Sequence, residues 1–226
     1  MKAIGLIGGM SWESSLEYYR IINEFVRQKL GGLHSAKILM YSVDFEDVQG
    51  DWNESTKIVI DAAKRLEQGG ADFIVICSNT MHKMADEVQK NVRIPLLHIV
   101  DVTAEKIKEK KIQKVGLLGT KFTMEEDFYK RRLTQKYQLD VITPHQKDME
   151  FIHKVIYEEL CLGKIRQQSK MKFKRIISDL KSKGAEGVIL GCTEIPLLVQ
   201  QKDTKLPLFD TTRIHAEAAA EKALND

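Results

Sequence analysis

The sequence predicts an α/β fold built from two similar halves, and three observations carry that prediction. The first is an internal repeat. Lys2-Ala3-Ile4-Gly5-Leu6-Ile7-Gly8 returns as Lys114-Val115-Gly116-Leu117-Leu118-Gly119, with Gly5 and Gly116 111 residues apart. Gly70-Ala71-Asp72-Phe73-Ile74-Val75-Ile76-Cys77-Ser78 returns from Gly184 to Cys192 at an offset of 114, and Arg93-Ile94-Pro95-Leu96 returns as Lys205-Leu206-Pro207-Leu208 at 112. The second is the alternation of short apolar runs with longer amphipathic stretches, which implies parallel sheets with helical crossovers. The third is placement: small polar residues follow the apolar runs, and ligands of such sheets sit at the carboxyl ends of the strands.

The elements follow in order. Ala3–Ile7 is a short apolar run ending in glycine and reads as a buried strand. Ser11 is placed to cap the next helix, whose Trp12, Leu16, Tyr19, Ile22 and Phe25 recur at helical spacing. Ile38–Val43 is a second strand, and Glu54–Gln68 an amphipathic helix stopped by Gly69-Gly70. Phe73–Cys77 is a strand, Thr80–Val92 a helix and Pro95–Val100 a fourth strand. In the second half Val115–Leu118, Leu139–Ile142, Val188–Leu190 and Leu206–Phe209 read as strands. Thr123–Tyr137, Met149–Leu160, Ile165–Lys183, Glu194–Gln200 and Thr212–Leu224 read as helices. The boundary falls near Val100–Thr103, and the last helix is expected to cross back. Residues 1–100 with 212–226 then form one domain and residues 101–211 the other.

Composition narrows the function. The 226-residue chain is 43% hydrophobic, enough for a substantial core. Its 35 basic and 32 acidic residues leave a net charge of +3, and the two signs are interleaved, so no basic face for nucleic acid is expected. Three cysteines, with no C-x-x-C pair, argue against a disulfide framework and against structural zinc. A reducing cytoplasm suits them. No apolar run approaches the length of a bilayer span, and the start of the sequence lacks the long apolar region of a signal peptide. The loop Gly5-Leu6-Ile7-Gly8-Gly9 has neither G-x-G-x-x-G nor a P-loop lysine, which disfavours a nucleotide. The histidines have no metal spacing.

The repeat sets Ser78 against Cys192. Each follows an apolar strand and precedes a helical segment, where backbone N–H groups favour an anion and a thiolate over a thiol. Cys192 is therefore a candidate nucleophile or base, against the alternative of a small buried hydrophobe. Cys77 is out of register with Cys192 and should turn into the core, because neighbouring strand residues point opposite ways. Cys161, late in a helical pattern, reads as core.

Ile-Cys-Ser-Asn-Thr-Met-His at 76–82 together with Leu-Gly-Cys-Thr-Glu-Ile-Pro at 190–196 resembles the aspartate/glutamate racemase superfamily. Gly-Leu-Ile-Gly-Gly-Met-Ser-Trp-Glu-Ser at 5–14, with Tyr18-Tyr19 and Ile22-Asn23, is similar to its aspartate racemase branch. The resemblance spans nearly the whole chain. It implies two Rossmann-like domains related by pseudo-twofold symmetry, with an active site in the cleft between them. It implies an isomerase that inverts the α-carbon of aspartate, glutamate or both without pyridoxal phosphate or metal, acting as a homodimer. In the family two cysteines flank the α-carbon; here Ser78 stands where the first is common. That departure resembles L-aspartate/L-glutamate-preferring racemases and implies unequal proton removal from the two faces, with Cys192 the principal acid/base and Ser78 the opposing group.

By the same resemblance Asn79, Thr80 and Thr193 bind the substrate carboxylate or amine, unless they serve only as helix caps. Met10 lines the pocket or fills the core. Gln49 lies near where some members carry an arginine for the side-chain carboxylate, so a broad-specificity amino-acid racemase is the near alternative. Lys164 resembles a second basic contact, or is a surface lysine past a helix end. Glu194 stands where glutamate racemases carry histidine; it either supports Cys192 as an acid–base partner or begins a helix, where acids are favoured. His82 either orients the site or is structural, the second being favoured. The alternative from another class is a two-lobed binding protein that closes on a small ligand without chemistry.

Overall fold

The computed structural model describes residues 1–225. In chain order its strands are β1 (Ile4–Gly8), β2 (Ile38–Ser42), β3 (Phe73–Ile76), β4 (Leu96–Leu97), β5 (Lys114–Gly119), β6 (Asp140–Ile142), β7 (Gly187–Gly191) and β8 (Leu208–Asp210). Its α-helices are α1 (Trp12–Leu30), α2 (Trp52–Gln68), α3 (Ala85–Asn91), α4 (Ile99–Glu109), α5 (Lys121–Glu125), α6 (Asp127–Arg131), α7 (Gln146–Glu158), α8 (Gln167–Ser182), α9 (Ile195–Leu198) and α10 (Thr211–Leu224). The chain divides into two compact units, Met1–Ile99 with Thr212–Asp226 and Val100–Thr211.

The first unit is a four-stranded parallel sheet in the order β2-β1-β3-β4. Side chains alternate across it as strand geometry demands. Ile4, Leu6, Phe73, Val75 and Cys77 pack on one face with Tyr18, Ile22 and Val26 of α1 and with Ala216, Ala219 and Ala220 of α10. Ile7, Ile74 and Ile76 pack on the other face with Val59, Ala62, Ala63 and Leu66 of α2 and Val88 of α3. The alanine stripe explains why the C-terminal helix fits: it brings no bulk to a face already filled by Tyr18 and Phe73.

The second unit repeats the topology, β6-β5-β7-β8, all parallel. The sequence repeat becomes a structural one, rung by rung. Leu39, Gly5, Ile74 and Leu96 form one row across the first sheet, and Ile142, Gly116, Val188 and Leu208 the corresponding row in the second. Less conspicuous side chains repeat too. Gln89 brackets β4 by accepting from Leu96 N–H at 2.7 Å and donating to Ile94 C=O at 3.2 Å. Gln201 does the same for β8, accepting from Leu208 N–H at 2.9 Å and donating to Leu206 C=O at 2.9 Å. After β1 and β5, Ser11 and Thr120 cap the following helices by accepting from Ser14 N–H and Thr123 N–H, each at 3.3 Å.

Three elements differ from the expectation. The strand expected over 95–100 is only Leu96–Leu97, because the backbone N–H of Ile99 donates to His82 Nε2 rather than to a ladder and α4 begins there. The helix expected over 123–137 is broken: Glu126 is extended, with ψ of 156°, and 132–136 winds as a π-helical turn. Arg132 and Lys136 on that turn both bind Asp101, at 2.6 and 2.8 Å. Finally, the apolar stripe of α1 is split. Ile22 is buried, but Trp12, Leu16 and Tyr19 are exposed, and it is Ser14, Ser15, Tyr18, Ile21 and Val26 that pack inward with it.

Candidate active site

In the first unit the loop after β1 is held tightly. Gly9 has φ of +93°, and a Cβ there would collide with the carbonyl oxygen of Val43, so only glycine fits. Its N–H donates to Ser15 Oγ at 2.8 Å, and that hydroxyl donates to Ser11 C=O at 3.0 Å. Ser14 donates to the carbonyl of Cys77 at 2.8 Å, tying the first turn of α1 to the end of β3. Met10 is buried among Val43, Val48 and Met81. Cys77 is fully buried, and burial alone pushes its thiol well up, so it stays a protonated core residue.

Ser78 and Asn79 are buried immediately after β3, and Thr80 opens a 3-10 turn over Thr80–Met84. Met81 N–H donates to Ser78 Oγ across a long 3.5 Å. The carbonyl of Ser78 accepts from His82 Nδ1 at 2.6 Å. Behind His82 lies a buried ring cluster. His98 is 4.6 Å and His215 5.6 Å from it between centroids. His215 Nε2 donates to Leu97 C=O, and its Nδ1 accepts from Tyr18 OH, both at 2.8 Å. Burial lowers His215 to about 4, against a smaller opposing pull from the Leu97 carbonyl, so this imidazole is neutral near neutrality.

In the second unit β7 ends at Gly191, and Cys192 follows as a buried residue of the main apolar cluster. Its thiol donates to Glu194 Oε2 at 2.9 Å, and Thr193 Oγ1 donates to the same oxygen at 2.6 Å. Burial raises Cys192 well above the ordinary thiol value, and the charge of Glu194 and its hydrogen bond raise it further. The sulfur is therefore protonated at rest and stands as the donor in the contact with the Glu194 carboxyl. Tyr157 of α7 belongs to the same surroundings: burial first, then Cys192, Cys161 and Glu194, push its phenol up to about 12. On the same helix face His153 Nδ1 accepts from Lys121 N–H at 3.2 Å and lies 4.8 Å from the Tyr157 ring.

Six of the residues singled out from the sequence thus fall into two groups, each at the carboxyl end of the third strand of its sheet, while Met10 lies in the loop after β1. Ser78, Asn79 and Thr80 are consecutive in one unit; Cys192, Thr193 and Glu194 are joined by hydrogen bonds in the other. Gln49 and Lys164 are exposed, each just past a short 3-10 turn, with backbone N–H groups donating to Glu46 C=O and Glu159 C=O. Tyr157 and His215 carried no sequence signal, since neither lies in a repeated segment or a recognisable motif. Among the described residues no group of three or more His, Cys, Asp or Glu side chains is placed to hold a metal ion. No helix among them is long and apolar enough to cross a membrane.

The two units thus share an α/β architecture, with a buried thiol on a carboxylate after the third strand of one and a buried hydroxyl after the third strand of the other. The chain belongs to the Asp/Glu/hydantoin racemase family, whose model matches residues 7–219. It is similar to the broad specificity amino-acid racemase RacX of Bacillus subtilis (strain 168), at 25% identity over 95% of each chain. A crystal structure of a provisionally assigned Asp/Glu racemase from Yersinia pestis superimposes with a TM-score of 0.94 at 52% identity, covering 100% of both chains. That of an aspartate racemase homologue from Pyrococcus horikoshii OT3 gives 0.88 at 39% identity, again over 100% of both. These relatives favour an enzyme over a non-catalytic binding protein.

Proposed function

We propose that this protein is an amino-acid racemase that inverts the α-carbon of aspartate, glutamate or both without pyridoxal phosphate or metal. The observation that carries the reading is the Cys192–Glu194 pair, a buried thiol with a carboxylate 2.9 Å from its sulfur. An α-proton is weakly acidic, so its removal needs a positioned base and a preorganised site for the carboxylate that absorbs the charge. Proton transfer from sulfur to Glu194 makes the thiolate while the pair keeps a single negative charge. The thiolate then takes the α-proton, and the hydroxyl of Ser78 delivers its own to the opposite face; the serine oxygen takes a proton from water and Glu194 releases one to water, which restores the starting state. The reading requires both groups to reach one substrate. Asn79 and Thr80 supply donors for its carboxylate, and Thr193, whose hydroxyl hydrogen goes to Glu194, offers its oxygen as an acceptor for the ammonium, while Met10 would line the pocket. Lys164 would meet the side-chain carboxylate.

Gln49 favours a second reading, a broad-specificity racemase, since a neutral amide selects less strictly for an acidic side chain than arginine would. RacX, a broad specificity enzyme by name, is among the relatives. Homodimer formation is part of the proposal. It is supported by the exposed Trp12, Leu16, Tyr19 and Met40, which surround an open, largely apolar pocket of about 410 Å³. A cytoplasmic setting suits three free cysteines.

The test is a screen of enantiopure amino acids for loss of optical rotation without added cofactor, repeated with Cys192→Ala. Inversion of aspartate or glutamate, abolished by the substitution, supports the main reading. Inversion spread over neutral amino acids selects the broad-specificity one. Tight binding without inversion, unaffected by Cys192→Ala, overturns both.

A further inference from the structure

The buried histidines of the first unit take no part in the proton transfers above. Hydrogen-bond bookkeeping nevertheless fixes the state of His82. The N–H of Ile99 can only donate, so His82 Nε2, 3.1 Å away, presents a lone pair. The carbonyl of Ser78 can only accept, so Nδ1, 2.6 Å away, carries the proton. His82 is therefore a neutral imidazole in the Nδ1–H tautomer. His215 takes the other tautomer, with Nε2–H on Leu97 C=O and Nδ1 accepting from Tyr18. The ring of His82 spans two particular backbone groups. One is the carbonyl of Ser78 itself. The other is Ile99, the last residue of the first unit before the chain passes into the second. A buried ring held at both nitrogens leaves little freedom to either.

We propose that His82 is a positioning residue for the Ser78 side of the reaction: through the Ser78 carbonyl it fixes the direction of the Ser78 hydroxyl, and through Ile99 it anchors that loop to the exit of the unit. This role rests on the racemase reading. It predicts which half of the chemistry fails when the clamp is cut. Proton removal by Cys192 is untouched, while delivery from the Ser78 face loses its alignment, and misplacement by about an ångström costs on the order of tenfold or more.

Two substitutions divide the clamp. Asn places an amide near the position of Nδ1, so His82→Asn keeps the donor to Ser78 and drops Ile99. Gln reaches the position of Nε2, so His82→Gln keeps an acceptor for Ile99 and drops Ser78. The experiment measures inversion and α-hydrogen exchange together in deuterated water for wild type and both variants, with thermal unfolding as the check on folding. The expected result is a ratio of inversion to exchange reduced about tenfold in His82→Gln through kcat, with KM little changed, and kept within about threefold of wild type in His82→Asn. Equal ratios in the two variants, changed or unchanged, overturn the role. A wild type that neither exchanges nor inverts any amino acid overturns the racemase reading instead. Should neither variant fold, nitrogen NMR of the wild-type histidines decides: a proton on Nε2 of His82 overturns the proposal, and one on Nδ1 supports it.

Discussion

The two units share a frame and differ in what stands behind the reactive position. After β3 a hydroxyl is backed by neutral imidazoles; after β7 a thiol is backed by a carboxylate. The rows of the two sheets correspond residue for residue, down to the glutamines that bracket β4 and β8. Topology is therefore not what distinguishes the halves. The difference lies in which group can carry charge. Glu194 can accept a proton from Cys192, whereas His82, bound at both nitrogens, can neither take nor give one without breaking a hydrogen bond. On the proposed reading, one half serves proton abstraction and the other holds a donor still.

The largest expected effect breaks the comparison at the sulfur. Cys192→Ala should lower both exchange and inversion by about a thousandfold or more, measured by proton NMR and polarimetry. Next comes the carboxylate. Glu194→Gln keeps the shape but cannot receive the proton, so kcat should fall roughly ten- to a hundredfold. The same change removes the charge that raises Cys192, so the alkylation rate of this thiol should rise at lower pH than in wild type.

Two stability measurements sharpen the contrast away from the chemistry. His215 has its folded value depressed to about 4 from 6.5 by burial, so it favours the fold only when neutral. Its contribution is fully present above pH 6.5 and is lost as pH falls toward 4, a change of about 3 kcal/mol in urea unfolding followed against pH. His215→Gln, which keeps the donor to Leu97, should flatten that dependence. The smallest effect is in the second unit. Burial raises the Asp101 carboxyl, but Arg132 and Lys136 more than reverse this and leave it below its ordinary value. Its contribution is present above the ordinary carboxylate range and is lost as pH falls through the folded value. Asp101→Asn should cost about 1–2 kcal/mol at neutral pH and remove that acid-side loss.

Much of this was legible in the sequence because the repeat preserves the residues that set the ladders: Gly5 and Gly116, Ile74 and Val188, Leu96 and Leu208. The register that placed Ser78 opposite Cys192 in the repeat also sent Cys77 to the covered face with Phe73 and Val75. What was not legible depended on contacts distant in sequence. Ile99 looked like strand because its local pattern is apolar, and only His82, 17 residues earlier, turns its N–H into the start of α4. The π-helical turn at 132–136 carries a clasp with Asp101 that no local propensity records. Trp12, Leu16 and Tyr19 have helical spacing, but spacing cannot tell a core stripe from a surface one when Ser14, Ser15, Tyr18 and Ile21 supply the close packing instead.

Initial α-hydrogen exchange from each pure enantiomer in deuterated water measures how unequal the sulfur base and the alcohol donor are. Exchange should be faster from one enantiomer than from the other, with Ser78→Cys bringing the two rates closer together. Equal initial rates in the wild type, unchanged in Ser78→Cys, would mean that Cys192 and Ser78 are not an unequal acid–base pair.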